Sequence, residues 1–228
     1  MMSQQDYWKE HYRSLHVKKT ELGTFKSMDY PNDRLQTQTY AHVLEALGRL
    51  NHQTLLDAGC GWGQFSLMAH FLGASVTAVD FVPETVQSLR EQHPFIRWTV
   101  ANFSDPKERS SLGFFDRVCA VEVLQYADFR FTVSNLWELV APGGRLVACV
   151  PNALCPFVQG VHQRLDRWIP VAPQQIAGLA RTLPDFSALY LRGLTYLEDQ
   201  SFLPYSASPW GTEIVGTPNR IVFSMLRQ

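Results

Sequence analysis

No stretch of this sequence is dominated by one sign of charge. Lys and Arg total 20 against 21 Asp and Glu in 228 residues, and Lys18–Lys19 is the densest basic run. A nucleic-acid partner would call for a basic face, so none is expected. The four cysteines, Cys60, Cys119, Cys149 and Cys155, form no CxxC pair and have no histidine at zinc spacing. A bound metal is therefore not expected, and Cys119 and Cys149, inside apolar runs, read as buried thiols. The N-terminus "MMSQQDYWKEHYRS" lacks the apolar core of a signal peptide, and no apolar run is long enough to span a membrane. The expectation is a soluble, cytoplasmic protein. Hydrophobic residues make up 46% and aromatics 12%, enough for a sizeable core.

What is present is alternation. Short apolar runs at 54–58, 75–80, 95–101, 116–123 and 145–150 are separated by "QFSLMAHFLG", "PETVQSLREQ" and "FRFTVSNLWELVAPGG", whose apolar residues recur at helical spacing. Pro83 suits a first helical turn, and Gly143 and Gly144 suit a helix exit. Strands that are apolar nearly throughout, alternating with helices, imply a parallel sheet covered on both faces, a doubly wound α/β pattern. Helices are expected near 4–14 and 34–50. After residue 150 a proline- and aromatic-rich stretch reads as an insertion over the ligand edge of the sheet, followed by a helix near 174–183. "ALYLRGLTYLED" and "NRIVFSMLRQ" supply the last two of seven strands, the last antiparallel.

The first strand runs into "LLDAGCGWGQFS". Gly59, Gly61 and Gly63 can adopt positive φ and keep Cβ atoms away from a ligand. The helix that follows offers free amides and a partial positive charge to a phosphate or to the carboxylate of an amino-acid-like ligand. The dinucleotide fingerprint GxGxxG would need its third glycine where Gln64 stands. Asp57 would help repel a pyrophosphate, yet suits a ligand that carries an ammonium and a sulfonium. Asp80 closes the second strand, where an acidic side chain can accept hydrogen bonds from both ribose hydroxyls of an adenosine.

Taken in order, "LLDAGCGWGQFS", "VTAVDFVPETV", "WTVANFSD", "FDRVCAVEVLQYA" and "LVAPGGRLVACVPN" resemble the motifs of class I S-adenosylmethionine-dependent methyltransferases of the small-molecule type. The resemblance covers about residues 54–152 and implies a Rossmann-like fold. It divides residues 1–228, taken as one domain, into a helical cap (1–50), a cofactor-binding core (51–150) and acceptor-side segments (151–228). It implies that Asp57, Ala58, Gly59, Gly61 and Gln64 wrap the methionine end of S-adenosylmethionine and that Asp80 holds the ribose. Phe81 would lie on the adenine, Asn102 would meet the adenine amine in place of the usual aspartate, and Phe103 would line that pocket. Val121 and Glu122 would contact the cofactor's amino group, and Tyr7, with Trp8, would close over it.

The methyl of a sulfonium is already activated, so alignment with the acceptor is the main task and few catalytic groups are needed. His162 is the candidate base and Tyr126, where many relatives carry histidine, a second candidate; His11 is a weaker one. Phe157, Trp168, Ile169, Tyr205 and Trp210 are candidates for an apolar acceptor pocket. Where amino-group methylators of DNA and protein usually carry "NPPY" or "DPPY", this chain reads "VEVLQY". That tilts the acceptor towards a small molecule methylated at oxygen. A macromolecular acceptor, protein or tRNA, and a non-catalytic S-adenosylmethionine-binding protein stay open as alternatives, and the oligomeric state is not legible.

Overall fold

The structure, a computed structural model, describes residues 7, 10, 33–103, 105–163, 168–196 and 206–228. Trp8, His11, Tyr205 and most of the helix expected at 4–14 lie outside the described residues. The strands are β1 (Thr54–Ala58), β2 (Ser75–Asp80), β3 (Arg97–Val100), β4 (Phe115–Val121), β5 (Val140–Pro151), β6 (Phe186–Thr195), β7 (Ser206–Ala207) and β8 (Arg220–Arg227). They form one sheet in the order β3-β2-β1-β4-β5-β8-β6-β7. β1 to β5 pair in parallel, and β8 inserts antiparallel between β5 and β6. The sheet thus has eight strands rather than seven, because the two-residue β7 adds to the β6 edge.

The helices are α1 (Asp33–Leu47), α2 (Gln64–Phe71), α3 (Pro83–Gln92), α4 (Pro106–Ser110), α5 (Phe129–Trp137), α6 (Pro156–His162) and α7 (Pro173–Ala180). Local chemistry sets several of their starts. Pro83, Pro106 and Pro156 occupy first turns, where a missing N–H costs nothing. Asp105 accepts the amides of Lys107 and Glu108 as the N-cap of α4, and Asp128 accepts that of Phe131 at α5. α1, α2 and α3 bury Val43, Leu47, Phe65, Val86 and Leu89 on one side of the sheet. α5 and α7 bury Val133, Leu136, Trp137 and Ile176 on the other. Both faces being covered is why the central strands are apolar almost throughout.

Gly143 and Gly144 correct an expectation. α5 ends at Trp137, and both glycines lie inside β5, which starts at Val140 opposite Phe115. The register shifts between Phe115 and Arg117, and Gly143 sits at φ 75°. A bulged strand entry with glycine in the left-handed region imitates a helix exit in sequence.

The carboxyl ends of β1 and β4 flank the point where strand order reverses, the place where open α/β sheets form a ligand crevice. α1 lies beside it. Arg117 on β4 and Arg145 on β5 donate to the carbonyls of Leu47 and Ala46, each at 2.8 Å, and so tie the C-terminal end of α1 to the sheet.

Candidate functional site

β1 delivers Asp57 to the crevice, and the chain then turns through Gly59, Gly61 and Gly63 at φ 75°, 51° and 76°. The Gly59 and Cys60 amides both bond the Val79 carbonyl, at 2.8 and 2.9 Å, which latches the loop to β2. A Cβ on Gly59 would come within 2.5 Å of the Val123 side chain, and one on Gly63 within 2.6 Å of Trp98. The bare positions at 59 and 63 therefore serve the protein's own packing, in addition to the turn itself.

Two carboxylates are buried beside this loop. Asp57, 2% exposed, accepts the Ser66 hydroxyl at 2.5 Å and faces the Cys119 thiol at 3.6 Å. Asp80, 4% exposed, accepts the Gly61 amide at 3.1 Å and the Val82 amide at 3.0 Å. Burial pushes Asp57 up to about 6, with the charge of Asp80 adding to it and the Ser66 and Cys119 hydrogen bonds opposing. Burial pushes Asp80 up to about 6 as well, against the pull of the Val82, Gly61 and Phe81 amides. The Cys60 and Cys119 thiols are pushed up by burial and then by these carboxylates, so they stay protonated. Among the described residues no Lys or Arg forms an ion pair with either aspartate. Buried negative charge with no counter-charge among those residues fits a cationic ligand.

The remaining expected residues fall around this pair with mixed roles. Gln64 opens α2 and accepts the amide of Gln36 on α1 at 3.0 Å, and the same amide reaches the Tyr40 hydroxyl at 2.7 Å. Ala58 is buried at the end of β1, and Phe81 and Val121 are half-buried at the ends of β2 and β4. Asn102 is exposed and makes a turn: its amide donates to Glu108 at 2.6 Å and its carbonyl accepts Asp105. Phe103 is buried in the core on the α5 side. Glu122, buried and at φ 56°, pairs with Arg220 at 2.6 Å. Tyr7 is helical and half-buried.

On the acceptor side, Tyr126, Phe157 and Val161 pack on buried Cys155, Val158 and Trp168. His162 ends α6 with Nδ1 2.5 Å from the Trp168 carbonyl. A carbonyl only accepts, so Nδ1 carries the proton of the neutral ring and Nε2 is bare. Ile169 follows Trp168 and is exposed beside this group. One expectation for the acceptor pocket does not hold: Trp210 sits with α1 instead, its indole donating to Glu45 at 3.0 Å under the Arg192 guanidinium. The sequence reading passed over Gln36, Ser66 and Arg220. Arg220 left one signal, a charged residue set directly against the apolar run "IVF". Among the described residues no His, Cys, Asp and Glu group could hold a metal, and no helix is long and apolar enough to cross a membrane.

Residues 56–148 match the family described as "Methyltransferase domain". Nodulation protein S of Sinorhizobium fredii is 31% identical over 153 residues, 63% of this chain and 65% of that protein. The chain thus spans just under two thirds of that relative, and 59% of its counterpart from Rhizobium tropici. A ubiquinone biosynthesis O-methyltransferase of Xanthomonas oryzae is 34% identical over 166 residues, 68% of this chain and 67% of that protein. In fold, the chain is similar to magnesium protoporphyrin IX methyltransferase from Synechocystis with bound SAH, with TM-score 0.68 and 16% identity over 98% of each chain.

Proposed function

Because the chain belongs to the class I S-adenosylmethionine-dependent methyltransferases, we propose that it transfers a methyl group from that cofactor to a hydroxyl oxygen of a small-molecule acceptor. The observation that carries this reading is the pair of buried carboxylates, unpaired with any Lys or Arg among the described residues, beside a glycine turn at the sheet's switch point. In this reading Asp57, Gly59, Gly61 and Gln64 hold the methionine end, with Ala58, Val121 and Glu122 beside it. Asp80 holds the ribose hydroxyls, Phe81 and Asn102 meet the adenine, with Phe103 behind them, and Tyr7 covers the methionine end.

The cofactor supplies an activated methyl on a sulfonium, and the chain's residues bind, orient and dehydrate. Asp57 and Asp80 furnish negative charge where water is excluded, which strengthens their hold on a cation. Tyr126, Phe157 and Trp168 form an apolar wall for the acceptor. His162, with Nε2 bare, takes the hydroxyl proton as the acceptor oxygen attacks. Oxygen as the target draws support from the name of the Xanthomonas relative and from the absence of an asparagine–proline motif after β4.

The test uses S-adenosylmethionine labelled on its methyl, incubated with purified protein and a fractionated extract of the source organism, with Asp80→Ala as control. The expected result is label in a small molecule, lost in the variant, with a mass spectrum that places the methyl on oxygen. Label on nitrogen would change the target atom. Label in protein or RNA would move the acceptor to a macromolecule. Absence of cofactor binding by the unaltered protein would overturn the assignment.

A further inference from the structure

The ligand edge of the sheet holds a second charged arrangement, built from strands that are not neighbours. Arg220 opens β8 beside Pro151 of β5 and Leu194 of β6, while Glu122 follows the end of β4. The guanidinium reaches past β5 and donates from Nε to Glu122 Oε1 at 2.6 Å, with side chains only 4% and 3% exposed. The other carboxylate oxygen accepts Gln125 Nε2 at 2.9 Å, and the Cys149 thiol lies 3.6 Å from Oε1. The rings of Trp168 and Tyr196 lie 5.8 and 5.7 Å from the guanidinium carbon. One side chain therefore joins the turn after β4, the segment after β5 and the end of β6.

Two physical points give this arrangement a purpose. A buried ion pair is weak evidence for stability, because desolvation opposes the Coulomb gain and apolar residues of like volume often serve as well. Its directional hydrogen bonds do fix geometry. The geometry held here is unusual: Glu122 sits at φ 56°, a left-handed conformation that a non-glycine residue keeps only where its surroundings over-determine it. The next residue, Val123, is the one whose side chain fills the space that a Cβ on Gly59 would need.

We infer that Arg220 is a positioning residue of the methyl-transfer site: by holding Glu122 in its left-handed turn it seats Val123 against the Gly59 loop and fixes the floor of the methionine subsite. The inference rests on the methyltransferase reading above. Arg220 itself touches neither cofactor nor acceptor in this scheme; it acts through Glu122.

Calorimetric titration with S-adenosylmethionine tests this on Arg220→Met, Arg220→Lys, Glu122→Gln and the Glu122→Gln/Arg220→Met double variant, with circular dichroism and melting curves on each. Arg220→Met is expected to weaken binding about tenfold, yet to add less than about twofold once Glu122 is already Gln, because the two residues act as one unit. Arg220→Lys, which keeps the charge, is expected to recover part of the loss. Should Arg220→Met fail to fold, Arg220→Lys and Glu122→Gln singly and together carry the same cycle. Arg220 variants that melt lower but bind within about twofold of the unaltered protein would make the pair a structural brace and overturn the inference. Independent, additive losses in the double variant would do so too. Failure of the unaltered protein to bind the cofactor would overturn the methyltransferase reading, and this inference with it.

Discussion

A neutral imidazole has one proton for two nitrogens, and at His162 the Trp168 carbonyl claims it for Nδ1. In the proposed reaction the other nitrogen, Nε2, would take the proton that the acceptor releases. Replacing His162 by alanine should lower kcat by about 10²–10⁴-fold if the acceptor loses its proton during attack. The cofactor's Kd should not move, because His162 belongs to the helix after β5 and not to the glycine turn. A turnover assay beside a binding titration checks both halves. Gly59 poses a different single-residue problem. Alanine there combines a left-handed φ, a cost of about 1–2 kcal/mol, with the 2.5 Å approach to Val123, an overpacking cost of about 1–3 kcal/mol. Gly59→Ala should therefore lose about 2–5 kcal/mol in denaturant unfolding. Adding Val123→Ala should recover the overpacking part and leave the backbone strain.

At the scale of elements, α1 is fastened at both ends. Arg117 and Arg145 bond its last carbonyls, Glu45 meets Arg192 and Trp210, and Gln36 near its start bonds Gln64 at the head of α2. Only the last of these reaches the glycine loop. Gln36→Ala removes, among its bonds, the one to Gln64, worth about 0.5–1.5 kcal/mol, and should weaken cofactor binding about twofold to tenfold. The reverse, a lowered melting temperature with unchanged affinity, would separate α1 from the site. Elements also show what a linear reading can reach. β1 and β2 were legible to the residue because each is an apolar run closed by an aspartate or a glycine turn at the crevice. The entry of β5 was not, since a bulged "APGG" carries the glycines that usually end helices. Nor was β8's place between β5 and β6, which depends on pairing partners far apart in sequence. Arg220 was lost with it, because its meaning comes from Glu122, 98 residues away. Trp210 misled for the same reason: an aromatic residue near the chain's end has no address until the sheet closes.

For the whole molecule the two buried aspartates couple folding to ligand and to pH. Each is raised from 3.8 to about 6 in the fold, chiefly by burial. A raised folded-state value means tighter proton binding when folded. The stabilising contribution is complete below 3.8 and is lost as pH rises through about 6. Each aspartate contributes about 3 kcal/mol at full extent, and less than twice that together, because they interact. The ligand-free protein should therefore melt higher at pH 5 than at pH 7.5, and an Asp80→Asn variant should lose part of that rise. Binding runs the opposite way, since a sulfonium and an ammonium favour the ionised carboxylates. Affinity for S-adenosylmethionine should fall as pH drops below about 6, by up to about tenfold per unit for one titrating group. S-adenosylhomocysteine, whose sulfur is uncharged, should lose less. Titration of both ligands at pH 7.5 and pH 5 decides the matter. Equal losses would mean that the sulfonium does not sense these carboxylates and that they answer only the ammonium both ligands share; no loss for either ligand would remove the counter-charge role of Asp57 and Asp80 altogether.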